Sequence, residues 1–380
     1  LHTGSDKEKA YLETFLIDNE EDIFVKQYGP KTTTPANTSL FHSWDTMILP
    51  RGEGLASDVG CALQPVWEII GLYEMPAIKD AEGKPIRFNS VDELWNTDEM
   101  EARCRANFFF PGMTESVSGV SIDIRGGVYK EYPGLASDGE SEIPGSINDY
   151  TDTYRVRAAS PGETQVINGQ SVQVSGKHGL AEGTGDEGYS RTGAFIRKYV
   201  NYNADASSRV LHGSSQSWKV FRYGEILLNW AEAAYELGLI KNDNNLKREA
   251  FDHINEIRDR AGAHRHDMVE SPQDIGSEIY GFPIDENLQY IRDERARELC
   301  YENHRIFDLR RWRVADIMFQ NGMYTHTLLP YYVMDENKWI FLNEVEREGR
   351  KVTFEKRWYY EQIPSGEIGK NPNLIRNDGY

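Results

Sequence analysis

Between residues 294 and 312 the chain reads Glu-Arg-Ala-Arg-Glu-Leu-Cys-Tyr-Glu-Asn-His-Arg-Ile-Phe-Asp-Leu-Arg-Arg-Trp. A helix washed by solvent on one side has no need to place so many guanidinium and carboxylate groups among Leu299, Phe307, Leu309 and Trp312. Charges woven through large apolar side chains are drawn out of water with them, and a desolvated charge persists only when it is paired and hydrogen-bonded. The segment therefore predicts that Glu294, Arg295, Glu298, Arg305 and Asp308 are paired and poorly exposed. The role this implies is structural, since charges spent on each other are not free for chemistry.

The same stretch resembles a motif of the SusD/RagB family, written ER..EL..EG.R..DL.RW, with Asn303 standing where the family usually has Gly. Two further segments carry the likeness in the same order. Phe221-Arg222-Tyr223-Gly224-Glu225-Ile226-Leu227-Leu228-Asn229-Trp230-Ala231-Glu232-Ala233 is similar to the family's fRyaEvLLnyAEA helix. Ile363-Pro364 through Asn371-Pro372-Asn373-Leu374 to Gly379-Tyr380 is similar to its closing segment, with Arg376 and Asp378 in place of Gln and Pro. Weaker echoes lie at Glu20–Phe24, Phe110-Pro111-Gly112 and Phe195–Tyr199. The resemblance implies a surface-exposed outer-membrane lipoprotein that is not an enzyme. Such a protein binds an oligosaccharide or polysaccharide and delivers it to a SusC-like TonB-dependent transporter. It also implies framework roles for Arg222, Glu225, Glu232 and Trp312, and a helical region, signal peptide and lipid-bearing cysteine upstream of Leu1.

Composition narrows the classes independently. A formal charge of −19 opposes binding to nucleic-acid phosphates or to an anionic membrane surface, both of which need clustered Lys and Arg. No apolar run approaches the roughly 20 residues of a spanning helix, so any membrane attachment is expected to come through a lipid. The 380 residues are 39% hydrophobic and 12% aromatic, enough for a packed core. Cys61, Cys104 and Cys300 are too few for a disulfide framework and are expected to be isolated buried thiols.

Periodicity supplies the element map. Leu227, Trp230, Ala231 and Ala234 form one stripe of a helix over 226–237, with Gly238 at its end. Ala250, Ile254, Ile257 and Ala261 form another, stopped by Gly262. These predict a helical hairpin of the tetratricopeptide kind. Asp285 is placed to cap a third helix through Leu288, Ile291 and Leu299, and 306–319 reads as a fourth. Asn168-Gly169 between β-prone residues signals a tight hairpin. The expected class is mainly α, with tetratricopeptide-like hairpins and a loop-rich α+β region of short strands. Three regions are expected: 1–215, loop-rich and ligand-facing; 216–322, helical repeat; and 323–380, the closing family segment.

Signals of catalysis are weak. Gly183-Thr184-Gly185-Asp186-Glu187-Gly188 fits G-x-G-x-x-G, but no strand leads into it and its acidic pair would repel a pyrophosphate. His264, His266 and Asp267 lack a fourth metal ligand and read as a solvated loop, leaving any metal undetermined. No nucleophile elbow, zincin helix or phosphate loop is present, and no cofactor is expected. What remains is 8 Trp, 21 Tyr and 15 Phe. Sugars stack their C–H faces on aromatic rings and offer hydroxyls to polar neighbours. Phe41, His42, Trp44 and Asp45, with Arg51 nearby, offer that mixture on an expected loop, although Phe41 and Trp44 also read as core anchors. Tyr150 and Tyr154, among Asn148, Asp149 and Asp152, form a second candidate. Trp67, Ile70 and Tyr73 share a helical face and read as core, and Trp230 and Trp312 as structural. Rival readings are capture of a peptide or other nutrient, a helical scaffold for protein partners, and a glycosidase.

Overall fold

The computed structural model describes residues 1–29, 40–57, 59–132, 155–156, 158–179, 188–202, 206–319, 323–345 and 351–380. Its helices are α1 (Lys7–Leu16), α2 (Trp44–Ile48), α3 (Trp67–Ile70), α4 (Ala102–Asn107), α5 (Tyr223–Lys241), α6 (Asn244–Ala261), α7 (Gly276–Ile279), α8 (Glu286–Glu298), α9 (Arg305–Arg311), α10 (Ala315–Met318) and α11 (Ser365–Lys370). The strands are β1 (Asp22–Lys26), β2 (Phe108–Phe109), β3 (Gly127–Tyr129), β4 (Arg155–Val156), β5 (Thr164–Ile167), β6 (Gln170–Gln173), β7 (Phe195–Ile196), β8 (Trp218–Arg222), β9 (Met323–Tyr324), β10 (His326–Val333), β11 (Lys338–Val345) and β12 (Lys351–Val352).

The helical layer is α5, α6 and α8 packed around Leu227, Leu228, Tyr235, Phe251, Ile254, Ile257 and Ile291. Gly262, at φ +70°, ends α6 where expected. The Asp285 carboxylate caps α8 by accepting from the Leu288 N–H at 2.8 Å. Gly238 has a different job from the one its position suggested. α5 runs past it and ends at Asn242 in the left-handed conformation. A Cβ on Gly238 would stand 2.9 Å from the Asp243 carbonyl and 2.7 Å from Lys247, so the glycine lets the start of α6 close onto α5. The fourth expected helix is two, because Arg313 at φ +58° breaks the chain between α9 and α10.

A four-stranded mixed sheet, ordered β11-β10-β3-β4, was not expected in the closing region. β10 and β11 pair antiparallel over eight residues, while β10 runs parallel to β3. β5 and β6 form the anticipated hairpin, with Asn168 at φ +50° and Gly169 at φ +79° supplying the turn. A core of Trp95, Cys104, Phe108, Phe110, Leu328 and Phe341 joins the sheet to the α4 segment. All three cysteines are free and buried.

Candidate functional site

The charges of the 294–312 segment sit at the junction where α8, α6, β8 and α4 meet. The Glu298 carboxylate accepts from Arg103 at 2.8 Å and from Arg222 at 2.7 Å, and also pairs with Arg260. Glu294 pairs with Arg103 at 2.7 Å, Arg258 at 2.8 Å and Arg297 at 2.9 Å. Glu302 bridges Arg222 and Lys198, both at 2.7 Å. Burial drives these carboxyls toward protonation, but the surrounding guanidinium groups outweigh it. Glu294 is held down to about 2, and Glu298 well below the usual carboxylate range by Arg260, Arg222 and Arg103. Carboxylates committed in this way have no proton to give, which suits a frame.

A second group surrounds α9. Asp308 accepts from Arg295 at 2.7 Å and Arg311 at 2.9 Å. Glu232 takes Arg311 and the Trp312 indole N–H, the latter at 2.6 Å. Glu225 faces His304 at 3.4 Å and Arg295 at 4.0 Å. Arg305 departs from the expectation that it is paired. Its guanidinium stands over the Trp312 ring at 5.9 Å and has no ion-pair or hydrogen-bond partner among the described residues, because Arg295 and Arg311 already occupy Asp308.

The expected sugar platform is divided by the fold: Phe41 and Asp45 are buried, His42 and Trp44 half-buried and Arg51 exposed. Phe41 is 7% exposed. Trp44 opens α2 rather than sitting on a loop, donates its indole N–H to the Lys198 carbonyl at 2.9 Å, and packs edge-on to Trp218 at 5.3 Å. Tyr199 and Tyr301 flank it. Buried Phe41 and half-buried Trp44, packed against three rings, fit the core-anchor reading of these two side chains better than the platform reading. His42 accepts at Nδ1 from the Trp44 N–H and so donates from Nε2 to the Gln216 carbonyl at 2.8 Å. That arrangement fixes a neutral ring whose pKa burial lowers. Asp45 is buried, which raises its carboxyl. Arg51 is exposed, and its backbone N–H donates to Gly188. Tyr150, Tyr154 and residues 183–187 of the glycine-rich segment lie outside the described residues.

An open cavity of about 820 Å³ lies instead between the 64–72 segment, α8, the 300–304 turn, α9 and β10. Its walls are mainly apolar, with Trp67, Tyr280, Tyr301, Leu299 and Phe319 among them. Polar groups interrupt the walls. Glu68 binds His326 Nδ1 at 2.7 Å, and Gln289 donates to Asp293 Oδ1 at 2.9 Å while accepting from the Tyr280 hydroxyl at 3.2 Å. Arg305 lines the same space, as does Asn343, whose buried Oδ1 has no partner among the described residues. Burial raises the Asp293 carboxyl against the pull of Arg297 and Arg305. Sequence reasoning missed this site because its lining comes from the 64–72 and 289–309 segments and from single positions as far apart as Tyr280, Phe319, His326, Asn343 and Val352, which only the fold brings together; Trp67, read as core, lines it.

Among the described residues no cluster of His, Cys, Asp or Glu could hold a metal ion. His264 binds Glu74 at 2.8 Å and His266 stacks on Tyr290 at 3.5 Å. No described helix is long and apolar enough to cross a membrane.

The helical layer, the mixed sheet and the buried ion-pair frame define a known class of protein. The SusD family model matches residues 20–380, and the chain belongs to that family. It is 26% identical over 193 residues to SusD-like protein P25 of Formosa agariphila, an overlap of 46% of this chain and 33% of that protein. It is 29% identical over 187 residues to SusD-like protein P2 of the same organism, covering 49% of this chain and 30% of that protein. A SusD-like protein of Bacteroides fragilis superposes on the whole chain with a TM-score of 0.54 at 21% identity, over 58% of its own length. The chain thus spans about a third of these curated relatives.

Proposed function

We propose that this chain is a non-enzymatic glycan-binding protein of the cell surface, which captures an oligosaccharide and passes it to a SusC-like TonB-dependent transporter of the outer membrane. Within a member of the SusD family, the observation that carries this reading is the cavity of about 820 Å³, whose aromatic walls are broken by side chains with unused hydrogen-bonding capacity. Its size lies in the ordinary range of ligand pockets, about 300–1,000 Å³. The non-catalytic part of the reading draws on the carboxylates, since Glu294, Glu298, Glu302 and Asp308 are all held in ion pairs. Attachment to the outer membrane through a lipid belongs to the same reading. A glycan array probed with the labelled chain tests it: retention on a defined set of oligosaccharides is expected, and a blank array alongside binding to peptides would replace the glycan by a peptide.

A second feature bears on architecture. On the outer side of α5, Ile226, Trp230, Ala233, Leu237 and Ile240 recur at i, i+4, i+7, i+11 and i+14, so Trp230, expected in the stripe of Leu227, Ala231 and Ala234, lies off it, at the edge facing His253 of α6. Trp230 is 49% and Ile240 82% exposed. A helix apolar on two faces is expected to be covered on both, which supports a tetratricopeptide-like reading in which α5 and α6 stack against further helices.

A further inference from the structure

Among the charged side chains lining the cavity, Glu68, Arg295, His304 and Asp308 each have an ion-pair partner. Among the described residues Arg305 has none, and Asp293 accepts only from Gln289, at Oδ1. Arg305 and Asp293 feel each other's field, yet no nitrogen–oxygen approach within 4.0 Å joins them. Arg305 is drawn over Trp312, and Asp293 is held back by Gln289. An acidic and a basic group that face one space without closing on each other leave an acceptor and a set of donors to be satisfied together.

Neighbouring hydroxyls of a sugar ring do this, one donating to the carboxylate while the next accepts from the guanidinium. Trp67, Tyr280 and Phe319 supply the flat apolar surface that the C–H faces require. The two charges cancel, so the site favours a neutral sugar, and Asp293 together with the chain's net charge of −19 disfavours an anionic one. We infer that the cavity is a subsite for a neutral oligosaccharide, one of whose rings bridges Asp293 and Arg305 through adjacent hydroxyls. The assignment rests on the glycan-capture reading above and gives it a location.

The test is calorimetric titration of the 380-residue chain, and of its Arg305→Leu and Asp293→Asn variants, with maltotriose, cellotriose, mannotriose and xylotriose, and with the dipeptide Leu-Gly. At least one neutral trisaccharide is expected to bind, and each variant to weaken it tenfold or more with the melting temperature unchanged. Because both residues hold one ring, the double variant is expected to lose less than the product of the single losses. If Arg305→Leu fails to fold, the near-isosteric Asp293→Asn carries the measurement. A trisaccharide that binds all variants equally overturns the subsite while leaving glycan capture standing. Binding of Leu-Gly alone, abolished by Arg305→Leu, overturns the sugar in favour of a zwitterion. Absence of binding by every probe also overturns the subsite, and the array then decides separately whether glycan capture survives.

Discussion

Arg222 and Arg305 lie in two different segments of family resemblance and occupy opposite electrostatic situations. The Arg222 guanidinium is fully enclosed and bound by Glu21, Glu298 and Glu302. Removing it leaves three carboxylates short of a partner in a medium that cannot solvate them, and breaking a buried pair in this way costs about 3–5 kcal/mol. Arg222→Ala is therefore expected to unfold the chain at markedly lower denaturant concentration. Arg305→Ala should move the midpoint little, because it breaks no ion pair. Equal losses from the two would mean that Arg305 has a partner in solution. The interleaving of charges with apolar residues made the pairing of Glu294, Arg295, Glu298 and Asp308 legible. Their partners Arg103, Arg258 and Arg260 were not, since they arrive from distant segments that only the fold brings together. Trp44 stayed open between platform and core anchor for a related reason: its polar neighbours describe a loop, whereas the rings of Trp218, Tyr199 and Tyr301 that pack against it come from remote parts of the chain.

At the scale of elements, strong periodicity was readable and the consequences of contact were not. The α5 to α6 hairpin and the capped start of α8 follow from stripes and caps that each segment carries alone. The extension of α5 beyond Gly238, the break at Arg313 and the β10 to β11 pairing depend on what each segment meets. The outer stripe of α5 has an immediate solution consequence. Leu237, at 38% exposure, and Ile240 add apolar area to a face that monomeric proteins usually cover, so the chain is expected to bind a hydrophobic dye while folded. The Leu237→Lys/Ile240→Lys variant should lose much of that fluorescence. Its melting temperature should hold, since exposed side chains contribute within about 0.5 kcal/mol. Dye binding that survives the double substitution would place the sticky surface elsewhere, and a large fall in melting temperature would show the stripe to be packed.

Over the whole molecule, charge and composition set the terms on which any ligand approaches. Sixty-one acidic residues against 42 basic ones give the net −19, and five of the arginines that might attract anions, Arg103, Arg222, Arg258, Arg260 and Arg297, are consumed in the buried frame around Glu294 and Glu298. The field that reaches solvent is negative, and it repels an anionic polysaccharide across a distance set by salt, about 10 Å at 0.1 M. A neutral glycan held by stacking and hydrogen bonds does not feel this barrier. In an affinity gel, retardation by a neutral polysaccharide should therefore be nearly independent of added sodium chloride. Any retardation by an anionic one should grow as salt screens the repulsion. The opposite result, anionic binding strongest at low salt, would require an exposed cationic surface. It would remove the ground for a neutral ligand and shift attention from the cancelling pair of Asp293 and Arg305 to arginines and lysines on the outside of the chain.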